Sequence, residues 1–519
     1  MTPTKNKFIR LLGVVILSSG VMVSCSSGGS DPVDSGVRRD ANAEDSSAQD
    51  VTVVDTDAGA DAPSPMSDGG TSSGELKAFP EAEGFGRNAS GGRGGDIYKV
   101  TTLDDSGPGS LREAVSQPGR TILFEVSGYI ETRSTIEVAA NTSIAGQTAF
   151  RSGGQGITVR RDPNNPSGGP LFVSGGNTIV RHIRFRPGSR VEGDCCGDAW
   201  LAYETSDLIF DHVSASYSSD EMFDFTGSTD ITIQNSILSE PLSEGSSPRA
   251  GGKTVMGKYS DRVSIYRTLI ANSSQRNPLL SPIDGLTTTH EYEYVNCYGF
   301  NLGSFALGTG DNDSGAPIHM NIIGNYWHNP SNSSQSRRWI HLEGEEDSLY
   351  FLSDDNFDSR YRTTAGGDVW DELSAMTDDY ESNFSLPQST VYQTATAHDL
   401  PLVSEGTTLI DGSAVWATLR SEFGARYFRD AADLRIISQI ENDEAPDWSL
   451  GPLDEDDFGT AYSPLGAMSS VPEDSDDDGI PDPFEMDLGS DPGIADQNED
   501  LDEDGYTNLE EYLNSLVPR

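Results

Sequence analysis

RHIRF at residues 181–185, DHVSA at 211–215, QNSIL at 234–238, YRTLI at 266–270 and VNCYG at 295–299 are variants of one short segment. Their starts lie 30, 23, 32 and 29 residues apart. A period of 20–50 residues marks stacked repeats, in which each unit is too small to bury its apolar face alone and covers it with the next. Each segment offers only one or two apolar side chains to an interior. The intervals are unequal, and a coil absorbs that in its turns more readily than a β-sandwich or propeller does. From about residue 90 to 330 the surrounding pattern is short β runs separated by Gly, Ser, Asn and Asp. The expectation is an all-β chain built as a right-handed parallel β-helix. SLREAV at 110–115 reads as a short helix with Ser110 as N-cap, closing the N-terminal end of the coil.

The 519 residues carry a formal charge of −49, from 83 acidic and 34 basic side chains. That balance argues against nucleic acid as a partner, since phosphate binding wants a basic surface. The charge is concentrated at the ends. Residues 31–70 hold ten Asp or Glu against two Arg, and 471–519 hold seventeen against one. At the N-terminus, Lys5, Lys7 and Arg10 precede an apolar run from Leu11 to Val23, which reads as an export signal over 1–25 and is too short to span a membrane comfortably. Its end, Met22-Val23-Ser24-Cys25, resembles a bacterial lipobox. That implies lipidation of Cys25, with the lipid as the only membrane contact, and a place on the outer membrane or cell surface. The alternative is an ordinary cleaved signal and a secreted chain.

Residues 26–75 lack the apolar content to bury a core and read as an acidic linker. The coil is expected over 76–410, with 331–410 as long loops wrapping it. A helical extension, patterned most clearly over 413–442, occupies 411–470 as a C-terminal cap. The last module is 471–519. Cys195, Cys196 and Cys297 leave an odd count for an oxidising compartment; a bridge from Cys297 to one of the vicinal pair is one option.

That last module holds two twelve-residue loops. In DSDDDGIPDPFE, Asp474, Asp476, Asp478, Gly479, Asp482 and Glu485 fall on positions 1, 3, 5, 6, 9 and 12 of an EF-hand-type loop. In DLDEDGYTNLEE, Asp500, Asp502, Asp504, Gly505, Asn508 and Glu511 fall on the same positions. Ca²⁺ takes six to eight hard oxygens and the loop needs glycine at its sharp turn. One match in so acidic a tail is weak; two full matches point to calcium. The pair resembles dockerin-like or thrombospondin type 3-like repeats.

The opening stretch of the coil, AFPEAEGFGRNASGGRGGDIYKVTTLDDSGPGSLREAV at 78–115, resembles the start of polysaccharide lyase family 1, the pectate lyases. So do TSIAGQTA (142–149), IVRHIRFRPGS (179–189), GDAW (197–200), FDHVSASYSSDEMFDF (210–225) and SSQRNP (273–278), with a weaker echo in RDAADLRI at 429–436. The resemblance implies a right-handed β-helix that cleaves polygalacturonate, or a related uronate polysaccharide, as a monomer and with calcium. Carried over residue by residue, the catalytic calcium ligands are Asp198 from the GDA motif, then Asp220 and Asp224 from D-x-x-x-D. Asp194 is a possible fourth, separated from Asp198 by the two cysteines. Arg276, in the first half of an R-x-P-x-x-R motif, takes the part of the base; Ser281 stands where the second Arg is expected. Lys253 matches the substrate-binding lysine, with Lys258 as its rival. His212, in the Asp211-His212 pair, reads as a structural histidine.

The chemistry explains these residue types. β-Elimination removes the C5 proton of a uronate and expels the oxygen on C4, passing through a dianion. A divalent cation held by carboxylates neutralises that charge, and a cationic side chain steadies the opposite oxygen. Arginine is an awkward base, since it is normally protonated. The competing readings are a non-catalytic glycan-binding or adhesive coil, a hydrolase, which would need paired catalytic carboxylates, and a pectin lyase, a branch that lacks the three aspartates.

Overall fold

Arg181, Asp211, Gln234, Tyr266 and Val295, the first residues of the five look-alike segments, are successive register partners in one parallel sheet. The second residues, His182, His212, Asn235, Arg267 and Asn296, all adopt left-handed backbone, with φ between 45° and 53°. The repeat is therefore one structural event: a strand ends, and a single left-handed residue swings the chain into the next sheet. The computed structural model describes residues 76–164, 169–188, 197–242, 252–282, 288–310, 316–333, 337–342, 347–360, 363, 367–369, 394–446 and 465–517. All of them fall in the compact unit Ala62–Arg519. The signal, Cys25, the linker, Asp194, Cys195 and Cys196 lie outside the described residues.

The coil has three sheets. Sheet I has ten described strands running from Asp96–Val100 to Leu349–Leu352; sheet II has nine, from Gly128–Thr132 to Phe357–Asp358; sheet III has eight, from Ile136–Val138 to Arg337–His341. Strands adjacent within a sheet come from successive rungs, and every pairing is parallel, as for Phe210 on Ile233 and Ile265 on Tyr294. With crossovers of the usual hand this is a right-handed parallel β-helix. The coil runs further than the sequence pattern indicates. Strands Arg337–His341, Leu349–Leu352 and Phe357–Asp358 continue it through the stretch expected to be loops.

Inward-facing side chains stack from rung to rung. Phe172 lies on Trp200 at 4.9 Å between ring centroids, Trp200 meets Phe210 edge-on at 5.1 Å, and Phe210 meets Phe223 at 4.7 Å. Each buried ring contributes about 2–3 kcal/mol from area removed from water. Cys297 is part of this interior as a free thiol, so no bridge involves it. The predicted N-terminal helix is Leu111–Ala114, and Ser110 Oγ accepts the Glu113 N–H at 3.2 Å.

Both C-terminal segments pack on the flanks of the coil. The described helices of the extension lie along the coil rather than across the end of the stack. Its helices Val415–Leu419 and Ala431–Glu441 press Val415, Leu419, Ile436 and Ile440 onto Ile237, Leu269, Tyr298 and Phe300, the outward side of sheet II. Asp430 caps the longer helix by accepting the Asp433 N–H at 3.0 Å, and it also meets the buried Arg186 guanidinium at 3.1 Å. Asp433 adds a second contact to Arg186 at 2.9 Å. Thus RDAAD locks onto IRFRP of the coil. The tail sets Ile480, Leu509, Tyr512 and Leu513 against Leu123 and Ala145 of sheet I. Among the described residues no helix is long and apolar enough to cross a membrane.

Candidate active site

Four successive turns enter sheet III, and each delivers chemistry. Asp198 precedes Trp200–Ala202, Asp220 and Glu221 precede Phe223–Asp224, Lys253 precedes Val255–Lys258, and Arg276 precedes Leu279–Ser281. Trp200 is the register partner of Phe223, and Phe223 of Val255. Counting back two residues from each gives Asp198, Glu221 and Lys253 in one column. A parallel bridge between Lys253 and Gln275 extends that column to the residue beside Arg276. Parallel stacking places rungs about 4.8 Å apart, so residues 23 to 33 apart in sequence become neighbours along a strip.

Carboxylate oxygens of Asp198, Asp220 and Glu221 lie within 4.8 Å of one another. Asp198 is buried, and one of its oxygens accepts the Glu221 N–H at 2.9 Å. Burial pushes its carboxyl well above the usual carboxylate range, and the charges of Asp220 and Asp224 push the same way. Glu221 is also buried. Its Oε1 forms an ion pair with the Arg276 guanidinium and lies 3.7 Å from Lys253 Nζ, while Lys253 Nζ donates to Asp220 Oδ1. Three acids and two cations therefore share one strip.

The sequence-predicted residues separate clearly. Asp198, Asp220, Lys253 and Arg276 meet. Asp224 stands within the sheet III strand, in register with Leu201 and Met256, and its Oδ1 accepts the N–H and hydroxyl of Thr226 at 2.9 and 2.6 Å. Burial raises its carboxyl too, with Asp220 adding to the effect. It supports the charge of the cluster from beside it. Lys258 ends the same strand that Lys253 precedes, and its ammonium sits over the Tyr259 ring at 4.9 Å. Glu221 is the residue that sequence reading missed. Its signal lay in the register, since it is Glu221 that falls level with Asp198.

His212 behaves as a structural residue: Nδ1 is 2.9 Å from Asp211 Oδ1, and its ring stacks on His182 at 4.7 Å. Asp211 also holds Arg181 at 3.1 Å and takes bonds from Gln234 and Asn235. In the tail, the two loops are near copies. Gly479 N–H and Gly505 N–H donate to Asp474 and Asp500, each at 2.9 Å. Carboxylates of Asp474, Asp476 and Asp478 cluster, as do those of Asp500, Asp502 and Asp504. The position-9 residues bond back to position 2 of their own loops: Asp482 accepts from Ser475 N–H and hydroxyl, and Asn508 from Leu501 N–H.

No family model matches the chain. Among known proteins it is 34% identical over 453 residues to the probable pectate lyase C of Aspergillus flavus, covering 85% of this chain and 94% of that protein. It is 36% identical over 445 residues to the probable pectate lyase C of Aspergillus terreus, again covering 85% and 94%. Among solved structures, the thermostable pectate lyase PL 47 aligns with a TM-score of 0.46 at 13% identity, over 68% of this chain and 98% of that one.

Proposed function

The chain belongs to the pectate lyase family and is a polysaccharide lyase, and from that premise we propose that it cleaves polygalacturonate by calcium-dependent β-elimination, releasing unsaturated oligogalacturonides. The observation that carries this reading is the strip along sheet III, where Asp198, Asp220 and Glu221 face Lys253 and Arg276. Its donor set suits a hard divalent cation: clustered carboxylates, two of them buried, repel unless a cation or a proton intervenes. Asp198 and Asp220 hold the ion, with Glu221 beside them and Asp224 adding charge.

Bound calcium would neutralise the substrate carboxylate and the dianion that forms on loss of the C5 proton. The remaining work falls to the chain. Arg276 accepts that proton. The C5–H electron pair becomes the C4–C5 double bond, the C4–O bond breaks, and the leaving oxygen takes a proton from water. In the resting arrangement Glu221 orients the guanidinium; a charged guanidinium has no lone pair to take a proton, so Arg276 must part from Glu221 and give up a proton to water before it accepts the one from C5. Lys253 binds the uronate carboxylate. Lys258, further along the strand, is left a secondary contact. The net charge of −49 opposes approach of a polyanion, so bound calcium together with Lys253 and Arg276 must reverse the field there.

The same proposal assigns calcium to the tail loops, export to the N-terminal segment, a lipid anchor to Cys25, and a monomeric working state. The test is product analysis on polygalacturonate with calcium and with EDTA. Unsaturated ends that absorb in the near ultraviolet should form only with calcium. Full-rate cleavage by chelated protein, or saturated ends, would overturn the reading.

A further inference from the structure

The first tail loop gathers an acid that the EF-hand pattern does not supply, Asp496, around its position-12 glutamate. Glu485, on the helix Asp482–Leu488, is fully buried, and neither of its carboxylate oxygens has a hydrogen-bond partner among the described residues. An ionised carboxylate left so is costly. Its oxygens point toward two other acids: a carboxylate oxygen from each of Asp478, Glu485 and Asp496 lies within 4.8 Å of the others. Asp476 Oδ2 and Asp496 Oδ1 are likewise buried without a partner. Among the described residues none of these four acids pairs with a cation; Lys99, which reaches the loop, is spent on Asp474 at 2.7 Å and on Asp477.

Asp496 lies outside the loop, in the segment that joins it to the second one. Its backbone N–H donates to Asp478 Oδ2 at 3.0 Å, and its carbonyl accepts from Asn508 Nδ2 at 3.1 Å. It is therefore held between the two loops with one oxygen free to face Glu485. Asp482, the position-9 acid, is occupied with Ser475 at 2.7 and 2.6 Å. Among the described residues the second loop offers no comparable set, and Asp500, Asp502 and Asp504 are exposed.

We propose that the first loop binds a calcium ion whose ligand set is closed by Asp496 rather than Asp482, and that this ion clamps the tail to the coil. The clamp follows from where the loop sits. Gly479, at φ 91°, lies so close to sheet I that a Cβ there would fall 2.7 Å from Leu123 Cδ1, and the next residue, Ile480, is fully buried in the contact. Fixing the carboxylates on either side fixes the residues that grip Leu123. The inference rests on the calcium reading of the tail given above.

The full-length chain is titrated with Ca²⁺ by calorimetry as Asp198→Asn/Asp220→Asn, so that the tail is read without the catalytic strip, and again with Asp496→Asn, Asp496→Ser or Asp482→Asn added. Asp496→Asn and Asp496→Ser should weaken the tighter tail site at least 10-fold, and Asp482→Asn should leave it unchanged. At calcium levels that protect the parent, a glutamate-specific protease should cut within 473–511 at least 10-fold faster in the Asp496 variants. Asp496→Asn in the otherwise wild-type chain should keep its cleavage rate at saturating calcium within twofold, which reports an intact fold. Unchanged calcium affinity and protection in both Asp496 variants would overturn the clamp. A parent that binds no calcium at all would refute the calcium reading of the tail as well, a distinct result.

Discussion

Glu221→Gln is the substitution that most sharply tests the strip on sheet III. Glutamine keeps the volume and removes the charge. At an effective dielectric of 20, two unit charges 4.8 Å apart, the limit of the Asp198–Asp220–Glu221 cluster, interact by about 3.5 kcal/mol. A divalent ion among the three would attract Glu221 by about twice that, roughly 7 kcal/mol. Against this stands the ion pair with Arg276, which Glu221 must relax to serve the ion and which is of the order of one such unit, about 3.5 kcal/mol. The difference, about 3.5 kcal/mol, corresponds to a weakening of calcium by a few hundredfold. The assay is the calcium dependence of unsaturated-product formation, since the tail loops do not enter that readout. Half-saturating calcium should rise a few hundredfold, while the rate at saturating calcium falls far less. A half-saturation within threefold of wild type would show that Glu221 is no part of the cation set and that the register argument misassigned it.

Arg276→Ala should remove unsaturated product at every calcium concentration while the β-sheet circular dichroism of the folded coil is kept, because the side chain is partly exposed and lies outside the core; residual turnover above about 1% would exclude it as the base. Asp430→Ala strips the helix cap at Ala431 and leaves Asp433 as the one carboxylate on Arg186 among the described residues, so denaturant unfolding should show a loss of about 3–5 kcal/mol. Glu293, buried on sheet I between Ser264 and Leu402, is pushed up to about 8 by burial. Its neutral form is therefore the one the fold prefers, and stability present below pH about 4.5 drains away as pH rises toward 8. Glu293→Gln, fixed in the neutral form, should melt higher than wild type at pH 8 and show little difference at pH 4.5; no gap at pH 8 would contradict the burial argument.

Much of this protein is written in its sequence because a coil is a local object. Each rung must offer its own few apolar residues and its own turn, so the spacing of RHIRF, DHVSA, QNSIL, YRTLI and VNCYG is the rung spacing itself. Asp198, Asp220 and Arg276 were legible through their motifs, and the two tail loops through their acidic spacing. Other features depend on contacts between distant segments, which no local pattern encodes. Asp220 and Glu221 are adjacent in a turn, where side chains follow no alternation, and only the pairing of Trp200 with Phe223 sets Glu221 level with Asp198. Lys253 and Lys258 bracket one strand of sheet III, and which of them meets Asp220 depends on the end at which the acids gather. Asp482 fits the loop pattern yet turns to Ser475, while Asp496 fits no pattern yet faces Glu485. The extension lies along sheet II and the tail along sheet I because Phe300 and Leu123 leave apolar surface there to be covered. Periodicity reports what each rung does for itself, whereas surface complementarity between segments hundreds of residues apart exists only once the chain has folded.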